Sequence, residues 1–493
     1  MVRISELTAS LDCAIIGQDQ TVSGLCYDSR KIKPGEVFFA IRGFKADGHN
    51  YINEAIARGA VVVVVEQIQE VEPGITQILV PDTRVAMGKM AAAYFDHPSR
   101  RLRVIGVTGT NGKTTTTYLI KSILEQAGYG VGLIGTIQVL IGSKVVPAQR
   151  TTPESLDLQA LLAEMAAHNL DYVVMEVSSH ALELNRTAGL EFDTAVFTNL
   201  TQDHLDFHHD FEHYFQAKAK LFAGLMQEHV KTGKTAVVNF DDTYGLRMAA
   251  ASSAPVYSYG IEQPAQIRAG DIHITSKGVK YQLLTPFGTV PLELSLTGRF
   301  NVYNTLAAGT ACLAAGVDLA GVKAGLERVS GVPGRFELVN MGQDFAVIVD
   351  YAHTPDSLRN VLKTVRGFVE NRVITVFGAG GDRDRAKRPL MGQAAAELSD
   401  YVIITSDNPR SEDPLAICRE IEQGVLPICG QRADFAYDIE PNRSKAIEKA
   451  IRMAVAGDVV LIAGKGHETY QEFAGYTIEF DDRAEARRVL KEL

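Results

Sequence analysis

The chain has 493 residues, 46% hydrophobic and 22% charged, with a formal net charge of -10. That length exceeds what one hydrophobic core supports and predicts roughly two to four domains of ordinary globular composition. The acidic balance argues against nucleic acid or an anionic membrane as the main partner, and the five scattered cysteines, without a C-x-x-C pair, read as reduced thiols of a cytoplasmic protein.

The opening MVRISELTASL mixes charge and polarity and lacks the apolar stretch of a signal peptide. Residues 1 to about 95 carry short strand-like runs, such as EVFFAI at 36–41, between turn-rich stretches. The apolar run AVVVVV at 60–65 is far too short to cross a bilayer and reads as a buried strand.

From about 98 the character changes. RLRVIGVTG reads as a buried strand running into a Gly-rich turn, and TYLIKSILEQAG, apolar at helical spacing, reads as a helix ending at Gly128. Further strands are expected at YVVMEV (172–177), TAVFTNL (194–200) and TAVVNF (235–240), each running into polar residues. A cluster of Gly and Pro in SGVPGRFE at 330–337 marks a boundary. Beyond it FAVIVDY, RVITVFG, YVIITSD and DVVLIAG alternate with helical stretches, the pattern of a second doubly wound sheet. The expectation is an α/β protein of three domains: a small N-terminal α/β domain over 1–97, a central P-loop ATPase-like domain over 98–328 and a C-terminal Rossmann-like domain over 329–493.

The strand, Gly-rich turn, Lys-Thr and helix around GTNGKT form the context that a phosphate-binding loop requires. Backbone N–H groups can approach phosphate oxygens there, Lys113 can reach the β- and γ-phosphates, and the Thr114 hydroxyl can bind Mg²⁺. The usual first glycine would stand at 107, where Val107 is found; the first glycine is Gly109. Glu176, at the end of an apolar run, either caps the next turn or delivers a carboxylate to the sheet edge where Mg²⁺ is expected, and the second strand of the same domain favours the metal. Four histidines follow, at 204, 208, 209 and 213; His204 and His208 are spaced as in a zinc helix, but Leu205 stands where a zinc protease needs glutamate. His204 is the metal candidate among them because it follows a strand end. Lys218 lies on an amphipathic helix, where a surface lysine is the plain reading.

In the last segment DYAHTPDSL, FGAGGDRDRAKRP, SDNPRSEDP and AGKGHETYQ each follow a strand, so four polar loops should meet on one sheet edge and form one site. Arg383, Lys387, Arg388 and Arg410 would attract an anion there, and Glu468 an ammonium group.

Together these motifs, spread over essentially the whole chain, resemble the Mur ligase family, which builds the peptide of bacterial cell-wall precursors. The resemblance implies an ATP- and Mg²⁺-dependent amide ligase that activates a carboxylate as an acyl phosphate and lets an amine displace the phosphate. It implies ATP contacts at Gly109, Thr110, Asn111, Gly112, Lys113, Thr114, Thr115, Asn301, Arg335 and His353. It implies metal contacts at Thr114, Glu176, His204 and Lys218, with Lys218 carbamylated (N6-carboxylysine) so that a cation becomes a carboxylate-like ligand, and catalysis by Lys113, Glu176, His204 and Lys218. Ser29, Thr151, Thr152, Ser178 and Arg186 match contacts to UDP-N-acetylmuramoyl-L-alanyl-D-glutamate, and residues 1–97 become the UDP-substrate domain. Leu184 departs from the family, which often carries glutamine there. D-N-P-R marks the members that add meso-diaminopimelate, so Arg383, Asp407, Asn408, Pro409, Arg410, Gly464 and Glu468 would bind that donor. The expected partners are small molecules only, with no nucleic acid or membrane, for a cytoplasmic monomer.

Other classes fit less well. A regulatory GTPase needs N-K-x-D and a transporter ATPase needs L-S-G-G-Q; neither is present. Folylpolyglutamate synthetase shares the fold and the modified lysine but lacks the D-N-P-R loop. The lysine-adding form of the same ligase carries another residue in place of the arginine. A pure binding protein would not need the metal cluster.

Overall fold

The computed structural model describes residues 1–43, 46–201, 205–208, 210–226 and 230–493, with only the backbone of 205 and 206. The chain forms two compact units, one of residues 1–268, 284–288 and 303–326, the other of 269–283, 289–302 and 327–493.

Besides the two-stranded pair of Val2–Arg3 with Thr21–Val22, the first unit carries two larger sheets among the described residues. The smaller of these runs in the order Ala14–Ile16, Thr76–Leu79, Val62–Val65, Glu36–Phe39, Gly24–Cys26, parallel except for its first strand. Its valine run is covered on both faces, as parallel strands require. Val62 and Val64 pack with Val37, Phe39, Ile78 and Met90, while Val63 and Val65 pack with Phe38, Ala40 and Ile52.

The larger sheet of this unit centres on Arg103–Thr108. Tyr172–Glu176 and then Val131–Ile134 lie on one side, and Thr194–Phe197, Thr235–Asn239 and Val256–Gly260 on the other, all parallel. The register sets Glu176 level with Val107, and Phe197 level with Thr108. The carboxyl ends of both neighbours therefore flank the turn that leaves the central strand. That turn feeds the helix Lys113–Gln126, which buries Leu119, Ile120, Ile123 and Leu124 against the sheet and ends just before Gly128 at φ +90°.

The second unit carries a sheet in the order Glu337–Leu338, Ala346–Asp350, Val459–Ala463, Val373–Phe377, Tyr401–Ile404, Ala436–Ile439. All but the first strand run parallel. The four expected strands are present and adjacent, so their following loops share one carboxyl edge. The edge strand Ala436–Ile439 was not expected; its half-exposed residues lack the apolar run that marks the inner strands. Among the described residues, no helix is long and apolar enough to cross a membrane.

Candidate active site

The phosphate-binding turn is held from beside it. Thr110 N donates to Asn199 O at 2.8 Å, Asn111 N to Asn199 Oδ1 at 2.9 Å, and Thr198 Oγ1 to Asn111 O at 2.7 Å. A Cβ on Gly109 would lie 1.9 Å from Thr198 Oγ1. At Gly112 the backbone is left-handed, φ +84°, and a Cβ would meet Asn304 Oδ1 at 2.3 Å. Gly112 precedes the first helical residue, so the first-turn N–H groups of the helix, at Lys113, Thr114 and Thr115, lie beside the turn. Val107 is a fully buried strand residue, which explains why the glycine-rich part begins only at Gly109. The Lys113 ammonium donates to Gly109 O at 2.9 Å and Thr110 O at 2.8 Å, a cation parked on the loop it serves.

Glu176 is 1% exposed and sits beside this loop. Its Oε2 accepts from Thr114 Oγ1 and Thr136 Oγ1, both at 3.0 Å, and its Oε1 accepts from Thr136 N at 2.8 Å. A hydroxyl and a carboxylate at the head of a phosphate loop are the hard-oxygen donors that suit Mg²⁺. His204 lies outside the described residues. Among those residues no group of three His, Cys, Asp or Glu forms a ready-made metal cluster.

Lys218 is not the surface lysine that its helix pattern allows. It is 1% exposed, on the helix Phe211–Ala223, its ammonium donating to Gly109 O at 2.8 Å and lying 4.6 Å over the Tyr214 ring. The structure thus brings Lys113, Thr114, Glu176 and Lys218 around one turn.

Four of the five expected sugar-peptide contacts adjoin that carboxylate. Thr152 Oγ1 donates to Glu176 O at 2.9 Å, Ser178 N donates to Thr152 Oγ1 at 3.1 Å, and the Thr151 and Thr136 hydroxyls are 3.1 Å apart. Arg186 donates to Thr152 O at 3.3 Å and lies 3.1 Å from Glu154. Arg84 and Arg150 reach the same Glu154 carboxylate, so three guanidinium groups share one anion. Such a cluster favours a polyanionic ligand. Ser29 is placed differently, with its hydroxyl donating to Glu54 Oε2 at 3.0 Å. Leu184 is the residue that ends the short helix Ser179–Glu183.

In the second unit Asn301, buried, donates to Thr297 O at 2.8 Å. The Arg335 guanidinium lies 4.6 Å over the Tyr351 ring, and His353 bonds Tyr351 O at 2.9 Å. Asp350 joins the two stretches, accepting from Phe336 N at 2.7 Å and Ala352 N at 2.8 Å.

On the shared sheet edge, Lys465 is fully buried and donates to Asn408 Oδ1 at 3.0 Å and Glu468 Oε2 at 2.9 Å, with Asp407 3.6 Å away. Asn408 Nδ2 also donates to Glu468 Oε2, at 2.9 Å. Asp407 and Glu468 against Lys465 leave one net negative charge, room for one further cation. A Cβ on Gly464 would lie 3.1 Å from Asp407 Oδ2, so the backbone passes close to that carboxylate. Arg443, buried, pairs with Asp482 through two contacts of 2.7 Å and donates to Ala463 O at 3.0 Å, bracing the strand end beneath. Arg410 stands nearby, donating to Glu472 Oε2 at 2.9 Å and Gly381 O at 2.8 Å. Arg383 is exposed and donates to its neighbour Asp382 O at 3.3 Å. A Cβ on Gly381 would lie 1.9 Å from Pro409 O, so the 378–386 and 407–413 loops pack tightly.

One expectation on this edge needs correction. Arg388 does not offer itself to an external anion; it is fully buried and already paired with Glu412 and Glu420. Arg410 pairs with Glu472, contributed by the strand Tyr470–Phe473. Sequence reasoning also passed over Asn199, Asn304, Asp350, Arg443 and Lys465. Lys465 was legible as the lysine inside G-K-G; Arg443 in PNRSKA carries no local signal.

Comparison with known proteins matches three family models: "Mur ligase family, catalytic domain" over residues 21–95, "Mur ligase middle domain" over 107–312, and "Mur ligase, glutamate ligase domain" over 334–466. The chain is 50% identical over 477 residues to the UDP-N-acetylmuramoyl-L-alanyl-D-glutamate–2,6-diaminopimelate ligase of Geobacillus thermodenitrificans, covering 97% of this chain and 96% of the relative. It is 43% identical over 500 residues to the ligase of the same name from Clostridium botulinum, covering 100% of both. Among solved structures, one titled as that ligase superposes with a TM-score of 0.72 at 34% identity, covering 100% of this chain and 99% of the other. MurF from Acinetobacter baumannii shares the fold, with a TM-score of 0.64 at 22% identity, covering 93% of this chain and 95% of its own. Matched by family models along most of its length and by relatives over nearly all of it, the chain belongs to the Mur ligase family.

Proposed function

We propose that this chain is the ATP-dependent amide ligase that adds meso-diaminopimelate to UDP-N-acetylmuramoyl-L-alanyl-D-glutamate in peptidoglycan precursor synthesis. The observation that carries the choice of donor is the pairing of charges on one sheet edge. Arg410 offers a guanidinium beside the net negative Asp407, Lys465 and Glu468 group. The far end of diaminopimelate is the complement: one carboxylate and one ammonium.

The chemistry divides between the residues as follows. Lys113 and the N–H groups of 109–115 hold the ATP phosphates, while Asn301, Arg335 and His353 serve the rest of the nucleotide. Thr151, Thr152, Ser178 and Arg186, with Ser29 on the uridine side, hold the acceptor so that its carboxylate oxygen takes the γ-phosphoryl group. The donor amine then adds to the acyl carbon, and the C–O bond to phosphate breaks as the amide forms. Thr114, Glu176, His204 and a carbamylated Lys218 would hold Mg²⁺, which when bound screens the charge gathering on the transferred phosphoryl group. Arg383, Asp407, Asn408, Pro409, Arg410, Gly464 and Glu468 present the donor. We place the domain limits at 1–97, 98–328 and 329–493, and the enzyme in the cytoplasm as a monomer.

Phosphate release with the UDP-muramoyl dipeptide, ATP, Mg²⁺ and a panel of amino acids tests this reading. Release should depend on meso-diaminopimelate. Equal release with lysine would move the assignment to the lysine-adding enzyme, and release without any amine would remove the ligase reading.

A further inference from the structure

The buried Arg388 is a cation spent on internal anions inside a motif, GGDRDRAKRP, that otherwise faces the donor edge. Its two terminal nitrogens grip Glu412 as a fork, Nη1 to Oε2 at 2.9 Å and Nη2 to Oε1 at 2.8 Å. Nη1 also bonds Glu420 Oε2 at 2.8 Å, and Nη2 donates to Gly380 O at 3.2 Å. One guanidinium therefore ties together the start of the helix Lys387–Leu398, the loop before it, the loop carrying Glu412, and the helix Pro414–Cys429 that carries Glu420.

Glu412 passes the restraint on. Its Oε1 accepts from Asp382 N at 2.6 Å, and its own N–H donates to Pro409 O at 3.0 Å. Ser411 bonds the Asp382 carboxylate through both its N–H and its hydroxyl. Gly381 N donates to Asn408 O at 2.9 Å, and Arg410 Nη1 returns a bond to Gly381 O at 2.8 Å. At the centre of these ties Arg410 holds a left-handed backbone, φ +51°, and Asp382 another, φ +53°. Side chains with a Cβ rarely stay there unless the surroundings fix them. The Arg388–Glu412 fork is the buried, bidentate part of that fixing.

We infer that Arg388 and Glu412 are positioning residues that set the aim of Arg410 and so the enzyme's selectivity for a donor with a distal carboxylate. This rests on the donor assignment above. Neither residue needs to touch the donor. Their effect should fall on donor recognition and leave the phosphate loop 109–115, built on another sheet, untouched.

The test is steady-state kinetics of Glu412→Gln, which keeps the shape and removes the charge, and of Arg388→Lys, which keeps the charge and loses the fork. Each is accompanied by a thermal melt. The Michaelis constant for meso-diaminopimelate should rise about tenfold or more, since a displacement of even 1 Å at a positioned group can cost that much. The constant for ATP should stay within about twofold, and the preference for diaminopimelate over lysine should shrink. Glu412→Asp, which restores the charge, should recover part of the loss. An unchanged constant for diaminopimelate in Glu412→Gln, or equal rises for diaminopimelate and ATP, would overturn the inference. Glu412 lines a partly exposed surface, so Glu412→Gln carries the test if Arg388→Lys does not fold. A wild-type enzyme that ignores diaminopimelate would instead remove the donor assignment, before any variant is made.

Discussion

Thr114 Oγ1 donates to Glu176 Oε2 at 3.0 Å, joining the first turn of the phosphate-loop helix to the end of the neighbouring strand. The register makes this meeting unavoidable, because Glu176 lies level with Val107, two residues before the glycine-rich turn. A carboxylate so placed can meet a metal ion that the threonine hydroxyl also meets. Glu176→Gln keeps the shape and one acceptor oxygen for the two threonine hydroxyls but removes the charge and the oxygen that accepts from Thr136 N. Turnover should fall by about a hundredfold or more, the range seen when one preorganised electrostatic group is lost, while the protein still folds. Near-normal phosphate release at saturating Mg²⁺ would show that Glu176 only caps the turn.

Gly112 supplies a second test of the same loop. Its φ of +84° and the 2.3 Å approach of Asn304 Oδ1 leave no space for a methyl group. Gly112→Ala should cost about 1–2 kcal/mol in backbone strain alone, and moving the Asn304 amide adds to that. Because the N–H groups proposed to face phosphate follow this residue, the damage should appear as a raised Michaelis constant for ATP. Calorimetric titration with a non-hydrolysable ATP analogue checks it; wild-type affinity would mean that the loop tolerates the side chain.

The strands that carry these residues were legible because parallel strands buried on both faces read as unbroken apolar runs, as in YVVME and VVLIA. The edge strand Ala436–Ile439 was not, since its partly exposed residues carry no such run. The phosphate loop announced itself through local spacing. Lys218 did not: its burial comes from packing beneath Gly109, more than a hundred residues earlier, which no helical period reports. Arg388 misled for the related reason that a basic residue in a polar loop looks available to a ligand, whereas Glu412 and Glu420 arrive from farther along the chain and claim it.

Lys218 itself invites a spectroscopic test. An ammonium buried beside the phosphate loop opposes the metal that Thr114 and Glu176 would hold, while a carbamate there would join them. Enzyme equilibrated with ¹³C-bicarbonate should give one carbamate carbon resonance that is absent from Lys218→Met. The same variant should lose most turnover with its melting temperature retained. Spectra that match for the two proteins would leave Lys218 as an unmodified lysine.

His467 should govern part of the acid response of the second unit. Its partial burial, then the charges of Arg335, Arg483 and Lys465, push its pKa down from the usual 6.5 to about 4. The unfolded ring takes up its proton first, so the neutral ring's contribution to stability is complete above about pH 6.5 and is lost as the pH falls toward about 4. His467→Gln, which cannot titrate, should flatten the fall of the urea midpoint across that window. An unaltered slope would show that His467 titrates normally.

Arg410 is the residue we propose to decide the donor. Its Nε is taken by Glu472 and its Nη1 by Gly381 O, which fixes the guanidinium plane and leaves Nη2 without a hydrogen bond among the described residues. The arginine is thus aimed before the donor arrives, so little ordering is left for binding to cost. Beside it, Lys465 cancels one of the two carboxylates of Asp407 and Glu468, so the site can take an ammonium without gathering excess negative charge. Lysine would satisfy the ammonium position and leave the arginine without its carboxylate. A partner lost from a charged hydrogen bond costs roughly 1–3 kcal/mol, or about tenfold to a hundredfold in selectivity. Arg410→Ala should therefore raise the Michaelis constant for diaminopimelate by at least about tenfold. The constants for ATP and for the UDP-muramoyl dipeptide should stay close to wild type, and the variant should discriminate less against lysine. Glu472→Gln should give a milder version of the same change, because it releases the Nε side of the guanidinium without removing the cation. If Arg410→Ala keeps full preference for diaminopimelate, the distal carboxylate is recognised elsewhere on the edge, and Arg383, exposed in the neighbouring loop, becomes the residue to replace next.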